Sequence, residues 1–242
     1  MVHGAPDNFE VQPKDITFRL DDMAELAVRL GSPDLFHKLG DVIFIDSFEN
    51  GLGKWGFETA DAIHTVKLSG DKYKTGGFSC KLLNLAIIEA DCGGACGSSF
   101  FQGGKIGFEY SFAGDQYGKM IKISIGIYDG DNLITGEVLL NIINKTLSYY
   151  KDETEFKVFE TGLKVVQNEY DWNTWKLIVD IDKKEYIKLI LNQYIYSLSG
   201  IKLHSIPYES APFISVRFYM QQTQDVDTTL YIDDCILTQN EP

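Results

Sequence analysis

KMIKISIGIY over residues 119–128, DGDN over 129–132, LITGEVLLNII over 133–143, NK over 144–145 and TLSYYK over 146–151 follow one another without interruption. The first, third and fifth segments are short runs rich in β-branched and aromatic residues. The second and fourth are clusters of Asp, Gly and Asn, the residues that close hairpins. Read together they are an antiparallel meander, and the fold follows from extending that pattern in both directions. Lys105 to Phe112 precedes it as a further strand. After the acidic turn Asp152-Glu153-Thr154-Glu155 come strands at Phe156 to Glu160, Thr174 to Ile181, Tyr186 to Leu191, Tyr194 to Leu198, Phe213 to Gln221 and Thr229 to Leu237. Upstream, Val42 to Phe48 and Gly77 to Leu83 have the same character. Many short strands joined by hairpin turns, with almost no helix between them, predict an all-β fold of two packed antiparallel sheets rather than a parallel α/β fold.

Residues 1–40 read differently. A polar, Pro-containing lead is followed by DDMAELAVRLGSP over 21–33, in which Met23, Leu26, Ala27 and Leu30 recur at helical spacing. Acidic residues sit at the start of the run, and Gly31 and Pro33 stop it. The prediction is an N-terminal arm over 1–40 with one short amphipathic helix, and a β-sandwich over 41–242. The apolar stripe packs on its own sandwich or docks the arm on a neighbouring subunit.

The totals fit this division. Apolar residues make up 44% of the 242 and aromatics 13%, with 13 Tyr and 15 Phe, a mix suited to pleated half-buried surfaces. With 22 basic against 35 acidic side chains the net charge is -13, and no dense Lys/Arg run interrupts it, so a phosphate backbone is repelled and nucleic acid is not expected as a partner. No basic segment followed by an apolar stretch opens the chain, and no stretch reaches the roughly 18 apolar residues of a membrane span. Neither export signal nor membrane insertion is therefore expected.

Cys80, Cys92, Cys96 and Cys235 are too few and scattered to frame a disulfide scaffold. Cys80 shares strand parity with Phe78 and Leu82, and Cys235 with Tyr231 and Leu237, which predicts buried free thiols. CGGAC over 92–96 reads as half of a metal site or a small disulfide loop, but no second Cys or His pair stands at the spacing zinc requires. His3, His37, His64 and His204 lie far apart in the chain, each read as a lone surface or core histidine. No Gly-x-Ser-x-Gly and no phosphate loop ending in Lys-Ser/Thr occurs.

Four segments, in order, resemble the concanavalin A-like lectin and laminin G-like jelly-roll superfamily and its carbohydrate-binding modules. They are DSFENGLGKW over 46–55, YKTGGFSCKL over 73–82, WKLIVDID over 175–182 with Tyr186 and the hairpin LNQY over 191–194, and LYIDDCIL over 230–237. The resemblance implies a jelly-roll sandwich with Trp55 and Trp175 in its core, but not one activity, because this sandwich serves lectins, glucanases and structural domains alike. Glucanases of the superfamily set paired carboxylates on one strand, about 5–5.5 Å apart. No strand here carries that pattern. Glu153 and Glu155 lie in a turn, and Asp180 and Asp182 lead into Lys183-Lys184 at a hairpin end, so no enzyme is expected. The arm, Gly40-Asp41-Val42 and the Asp-x-Phe-Glu strand are similar to particle proteins of tailed phages.

Two functions follow as expectations. In the first, the chain is a structural subunit of a virion or cell-surface assembly, docked on other protein subunits through Met23, Leu26, Ala27 and Leu30. In the second, it is a free-standing glycan-binding module. Sugar rings are held by flat aromatic faces, and the candidates are Trp172, Tyr170 and Tyr194, with Tyr128, Tyr149, Tyr150 and Tyr196 behind them. Trp172 ranks first because it lies in the polar segment Asn168 to Asn173. The resemblance also implies a structural Ca²⁺ held by Glu49 or Asp46, the Lys74 carbonyl region and Asp233; the alternative is that Asp233 caps main-chain amides.

Overall fold

The computed structural model of the chain describes residues 40–59, 65–85, 91–98, 103–115, 119–152, 155–163 and 171–242. The predicted arm helix over Met23, Leu26, Ala27 and Leu30 lies outside these residues, as do Tyr170, His64 and Glu153. The described chain forms sixteen strands: β1 (Asp41–Asp46), β2 (Gly56–Thr59), β3 (Thr65–Ser69), β4 (Ser79–Asn84), β5 (Asp91–Ser98), β6 (Lys105–Gly114), β7 (Lys119–Tyr128), β8 (Asn132–Asn141), β9 (Thr146–Asp152), β10 (Glu155–Thr161), β11 (Asn173–Asp180), β12 (Glu185–Leu191), β13 (Tyr194–Ser197), β14 (His204–Pro207), β15 (Phe213–Gln222) and β16 (Thr228–Gln239). Among the described residues there is no α-helix.

The strands make two eight-stranded sheets. The first runs β13-β12-β11-β6-β16-β4-β3, with β1 also on β16; the second runs β10-β9-β8-β7-β15-β5-β2, with β14 also on β8. Pairing is antiparallel throughout, as between β7 and β15, where Phe213↔Tyr128 through Gln222↔Lys119 align without a shift. This is the expected all-β sandwich of two antiparallel sheets.

Alternation along the strands explains the layering. On β7, Ile121, Ile123, Ile125 and Ile127 are buried while Lys122 on the opposite face is half-buried. On β6, Ile106, Phe108, Tyr110 and Phe112 face the same core. Each such side chain contributes roughly 1.5–3 kcal/mol by leaving water. The centre is aromatic: Trp175 stands edge-on to Tyr110 at 5.4 Å, and Phe218 links Tyr110 to Phe48 and Trp55 at 5.9, 6.4 and 4.8 Å. Both tryptophans thus take the expected core positions.

In one place the sequence reading is corrected. The segment Cys92 to Cys96 is no metal or disulfide loop but part of β5, and its cysteines are free. Its glycines are there for space. A Cβ on Gly93 would come within 2.5 Å of the Tyr219 ring, and one on Gly94 would come within 2.6 Å of Phe218 and 3.0 Å of Phe57. Cys80 and Cys235 are free and buried, as expected.

Candidate functional site

The outer face of the second sheet carries a groove of about 430 Å³ lined by Glu58, Thr59, Asp91, Lys122, Glu137, Arg217 and Tyr219. Register builds it. Because Ile121, Ile123 and Val138 point into the core, Lys122 and Glu137 must point out; because Val216, Phe218 and Met220 are buried, Arg217 and Tyr219 must point out. Pairing then sets these outward residues in transverse rows. Glu137 lies opposite Ser124, Ser124 opposite Arg217, Arg217 opposite Ala95 and Ala95 opposite Gly56. In the next row Leu139, Lys122, Tyr219, Gly93 and Glu58 stand side by side. Small residues thus floor the groove, and long polar ones wall it.

Aromatic residues continue the face on β9 and β10. Tyr150 and Phe156 are cross-strand partners with rings 5.3 Å apart, and His204 of β14 stands edge-on to Tyr150 at 5.2 Å. Lys122 Nζ lies 5.8 Å from the Phe156 ring, although β7 and β10 are three strands apart, roughly 14 Å in a flat sheet. Lys122 thus reaches along the face towards the aromatic pair.

Two tyrosines of the opposite sheet fix the groove from beneath. Tyr110 Oη donates to the Lys122 carbonyl at 2.7 Å. Tyr186 Oη accepts the Glu137 N–H at 2.9 Å and stands 3.1 and 3.0 Å from the Glu137 and Tyr150 carbonyls. The second set has a topological cause. One edge of β8 is shared between β9, paired over Val138 to Asn141, and β14, paired over Asn132 to Thr135. The Tyr186 hydroxyl fills the interval between them, where a buried amide would otherwise lack an acceptor. Gly136 leaves room for it, since a Cβ there would lie 3.0 Å from Leu203 and Val179.

The charges of the groove are mixed in sign, three carboxylates facing two cations. Tyr219 Oη donates to Glu58 Oε2 at 2.5 Å, and burial, then this bond, raise the phenol above its ordinary range, so it stays a hydrogen-bond donor. Burial pushes the Glu137 carboxyl up, while Lys122, the Ser124 hydroxyl and Arg217 pull it back. Arg217 Nε donates to Ser215 Oγ at 3.4 Å. The result is a polar surface of donors and acceptors over a flat floor, the pattern that hydroxyl-rich ligands require.

Of the residues singled out in the sequence, Trp172 is half-buried just before β11, and Tyr194 is 41% exposed at the start of β13; both belong to the first sheet and are not brought to the groove. Tyr150 is. Sequence reasoning missed Lys122, Glu137, Arg217, Tyr219 and Glu58. The available signal was parity: each interrupts an apolar strand at an outward position, and Arg217 is one of three arginines in the chain, with Arg19 and Arg29.

The residues expected to hold calcium do gather near the β16 bulge, where Asp234 has φ 56° and β4 gives way to β1. Their oxygens, however, are turned to different partners. Asp233 Oδ2 accepts the Lys74 and Thr75 N–H groups at 2.8 and 3.3 Å, and Oδ1 accepts that of Asp234 at 2.8 Å. Glu49 accepts Gly77 and Phe78 N–H at 2.8 and 2.9 Å. Asp46 accepts Trp55 Nε1 at 2.8 Å and Lys54 Nζ at 3.1 Å. Among the described residues no group of three or more His, Cys, Asp or Glu side chains is placed to hold a metal ion. The geometry shows the alternative role of Asp233, the capping of main-chain amides. Burial and the neighbouring Asp234 push the Asp233 carboxyl up to about 7 against the pull of its amide donors.

No protein-family model matches the chain, and no curated protein matches it in sequence. Solved structures do match it in fold. The endo-β-1,4-glucuronan lyase from the fungus Trichoderma reesei superposes with a TM-score of 0.57 at 10% identity, over 82% of this chain and 95% of that one. A Bacillus subtilis protein of unknown function with a galectin-like fold gives 0.54 at 13% identity, over 84% and 97%. The carbohydrate recognition domain of Emp46p, in its potassium-bound form, gives 0.52 at 11% identity, over 84% and 96%. These likenesses define the fold: a β-sandwich of two antiparallel sheets, similar to that of lectin-like and galectin-like proteins. At such identities they speak of the fold alone.

Proposed function

We propose that the protein is a carbohydrate-binding module whose ligand lies in the groove of the second sheet. The observation that carries this reading is the groove itself: Ala95 and Ser124 add little bulk to its floor, Lys122, Glu137, Arg217 and Tyr219 line it with donors and acceptors, and the Tyr150 and Phe156 rings stand beside it on the same face. Emp46p's matching domain is a carbohydrate recognition domain, which accords with it.

Binding without turnover is the companion proposal. The groove's carboxylates are not presented as a free pair: Glu58 accepts the Tyr219 hydroxyl, and Lys122 and Arg217 act on Glu137. Tyr219, held protonated, is a poor base. The rival expectation, assembly through the arm, rests on residues 1–40, outside the described chain.

Calorimetric titration with a saccharide panel tests the proposal. A saccharide that binds wild type should bind Arg217→Ala at least about tenfold more weakly, the loss expected of a central hydrogen-bonding cation. Undiminished binding by Arg217→Ala and Tyr219→Phe would place the ligand elsewhere, and a panel with no binder would remove the reading.

A further inference from the structure

We infer that the groove takes an uncharged, linear polysaccharide by an internal stretch of several units that lies across the strands, rather than a single terminal sugar or an acidic chain. This rests on the saccharide reading above and adds the class of ligand.

The first argument is charge. Glu58, Asp91 and Glu137 face Lys122 and Arg217 around one cavity. Three carboxylates against two cations give an acidic polymer no net attraction, and the whole chain, at net -13, repels it further. A polyol needs no net field; it needs paired donors and acceptors, and the groove supplies both within one row.

The second argument is direction. The polar residues are not strung along one strand but spread across five, Glu137 on β8, Lys122 and Ser124 on β7, Arg217 and Tyr219 on β15, Asp91 on β5 and Glu58 on β2. The path from Glu137 to Glu58 crosses four spacings, about 19 Å, and from Phe156 on β10 six, about 29 Å, both more than one pyranose covers. Only a chain of several units can touch the Tyr150–Phe156 platform and the Tyr219–Glu58 wall together. Beyond Arg217 the row ends on Ala95 and Gly56, which add no bulk, while the Tyr219 ring lies over Gly93 and forms the wall beside it.

The test is calorimetry of the full chain with neutral β-linked glucan, mannan and galactan oligosaccharides of graded length, beside oligogalacturonates of matching length. Affinity for the preferred neutral series should rise at least about tenfold from disaccharide to pentasaccharide and then level off. It should change less than about twofold when salt is raised tenfold, because no net charge is neutralised. Tyr150→Ala and Phe156→Ala should each weaken pentasaccharide binding at least about tenfold and so erase the gain from the longer chains. A monosaccharide as good as the pentamer, or uronate binding with steep salt dependence, would overturn the inference while leaving the groove a saccharide site. Failure of every saccharide would instead overturn the proposed function.

Discussion

Replacing Tyr186 by Phe removes one of the two tyrosine hydroxyls that fix the groove from beneath. The ring is fully buried and packs on Tyr149 at 5.8 Å, and Phe preserves that packing. What is lost is the hydroxyl that accepts the Glu137 N–H and donates to the Tyr150 or Glu137 carbonyl. An amide left buried without an acceptor costs about 1–3 kcal/mol, and the lost donated bond adds about 1 kcal/mol, so the variant should be less stable by roughly 2–4 kcal/mol. For a domain of this size that is a fall in Tm of roughly 5–15 °C. Urea unfolding followed by tryptophan fluorescence, with calorimetry alongside, measures both. Because β8 loses its tie where Glu137 enters the groove, saccharide affinity should fall as well. A loss below about 0.5 kcal/mol would show that water or a shifted β9 satisfies the amide, and that the β8 interval is not held by this hydroxyl.

Asp46→Ala should cost roughly 2–4 kcal/mol in the same assay, since it strips the acceptor from the indole of Trp55 and from the Phe48 amide in the core; a neutral result would deny that this carboxylate organises the opening turn. The Asp233 carboxyl is raised from its ordinary value of 3.8 to about 7. Between these values the folded state binds more protons than the unfolded one, so this residue's contribution is full below about pH 4 and is lost as pH rises through 7. Wild type should therefore lose stability relative to Asp233→Asn between pH 5 and 8, and parallel pH profiles would refute it. Added Ca²⁺ should leave the Tm of EDTA-treated protein unchanged, because Asp233 caps the Lys74, Thr75 and Asp234 amides and Asp46 accepts the Trp55 indole; a rise abolished by Asp233→Ala would restore the calcium site. Gly93→Val should both destabilise the fold and block the groove, since even a Cβ meets the Tyr219 ring at 2.5 Å; normal binding by this variant would move the ligand off this floor.

The sheets were legible in the sequence wherever a strand has a full apolar parity and a marked turn. The run 119–128 is β7 residue for residue, and Thr146 to Lys151 is β9 less its last residue, because Asn144 and Lys145, the latter at φ 53°, close a tight hairpin. β5 was not legible, since Gly93, Gly94 and Gly97 give a strand no β-propensity of its own; tertiary contact with Phe218 and Tyr219 makes it one. The short edge strands β2, β3 and β14, of four, five and four residues, carry too little pattern to stand out. The groove was hidden for a different reason. Its residues come from β2, β5, β7, β8 and β15, and one sequence does not say which strands neighbour which, so Lys122 and Arg217 read as ordinary outward positions until the register sets them side by side. Trp172 and Tyr194 were favoured for exposure, which a sequence suggests well, whereas the groove is decided by sheet order, which it does not. The gathering of Asp46, Glu49, Lys74 and Asp233 was anticipated through resemblance, but the partners of their oxygens depend on loop geometry of tenths of an ångström.

The most direct measurement of the central claim is a two-dimensional NMR titration of the full chain with the saccharide that binds best in calorimetry, following backbone amide and arginine side-chain signals. The account predicts that the largest shifts fall on the outer face of the second sheet, at Lys122, Glu137, Arg217, Tyr219 and Gly93, with the Arg217 side chain among them, and that signals near Trp172 and Tyr194 stay in place. Shifts centred on Trp172 and Tyr194, with Arg217 and Tyr219 unmoved, would contradict it.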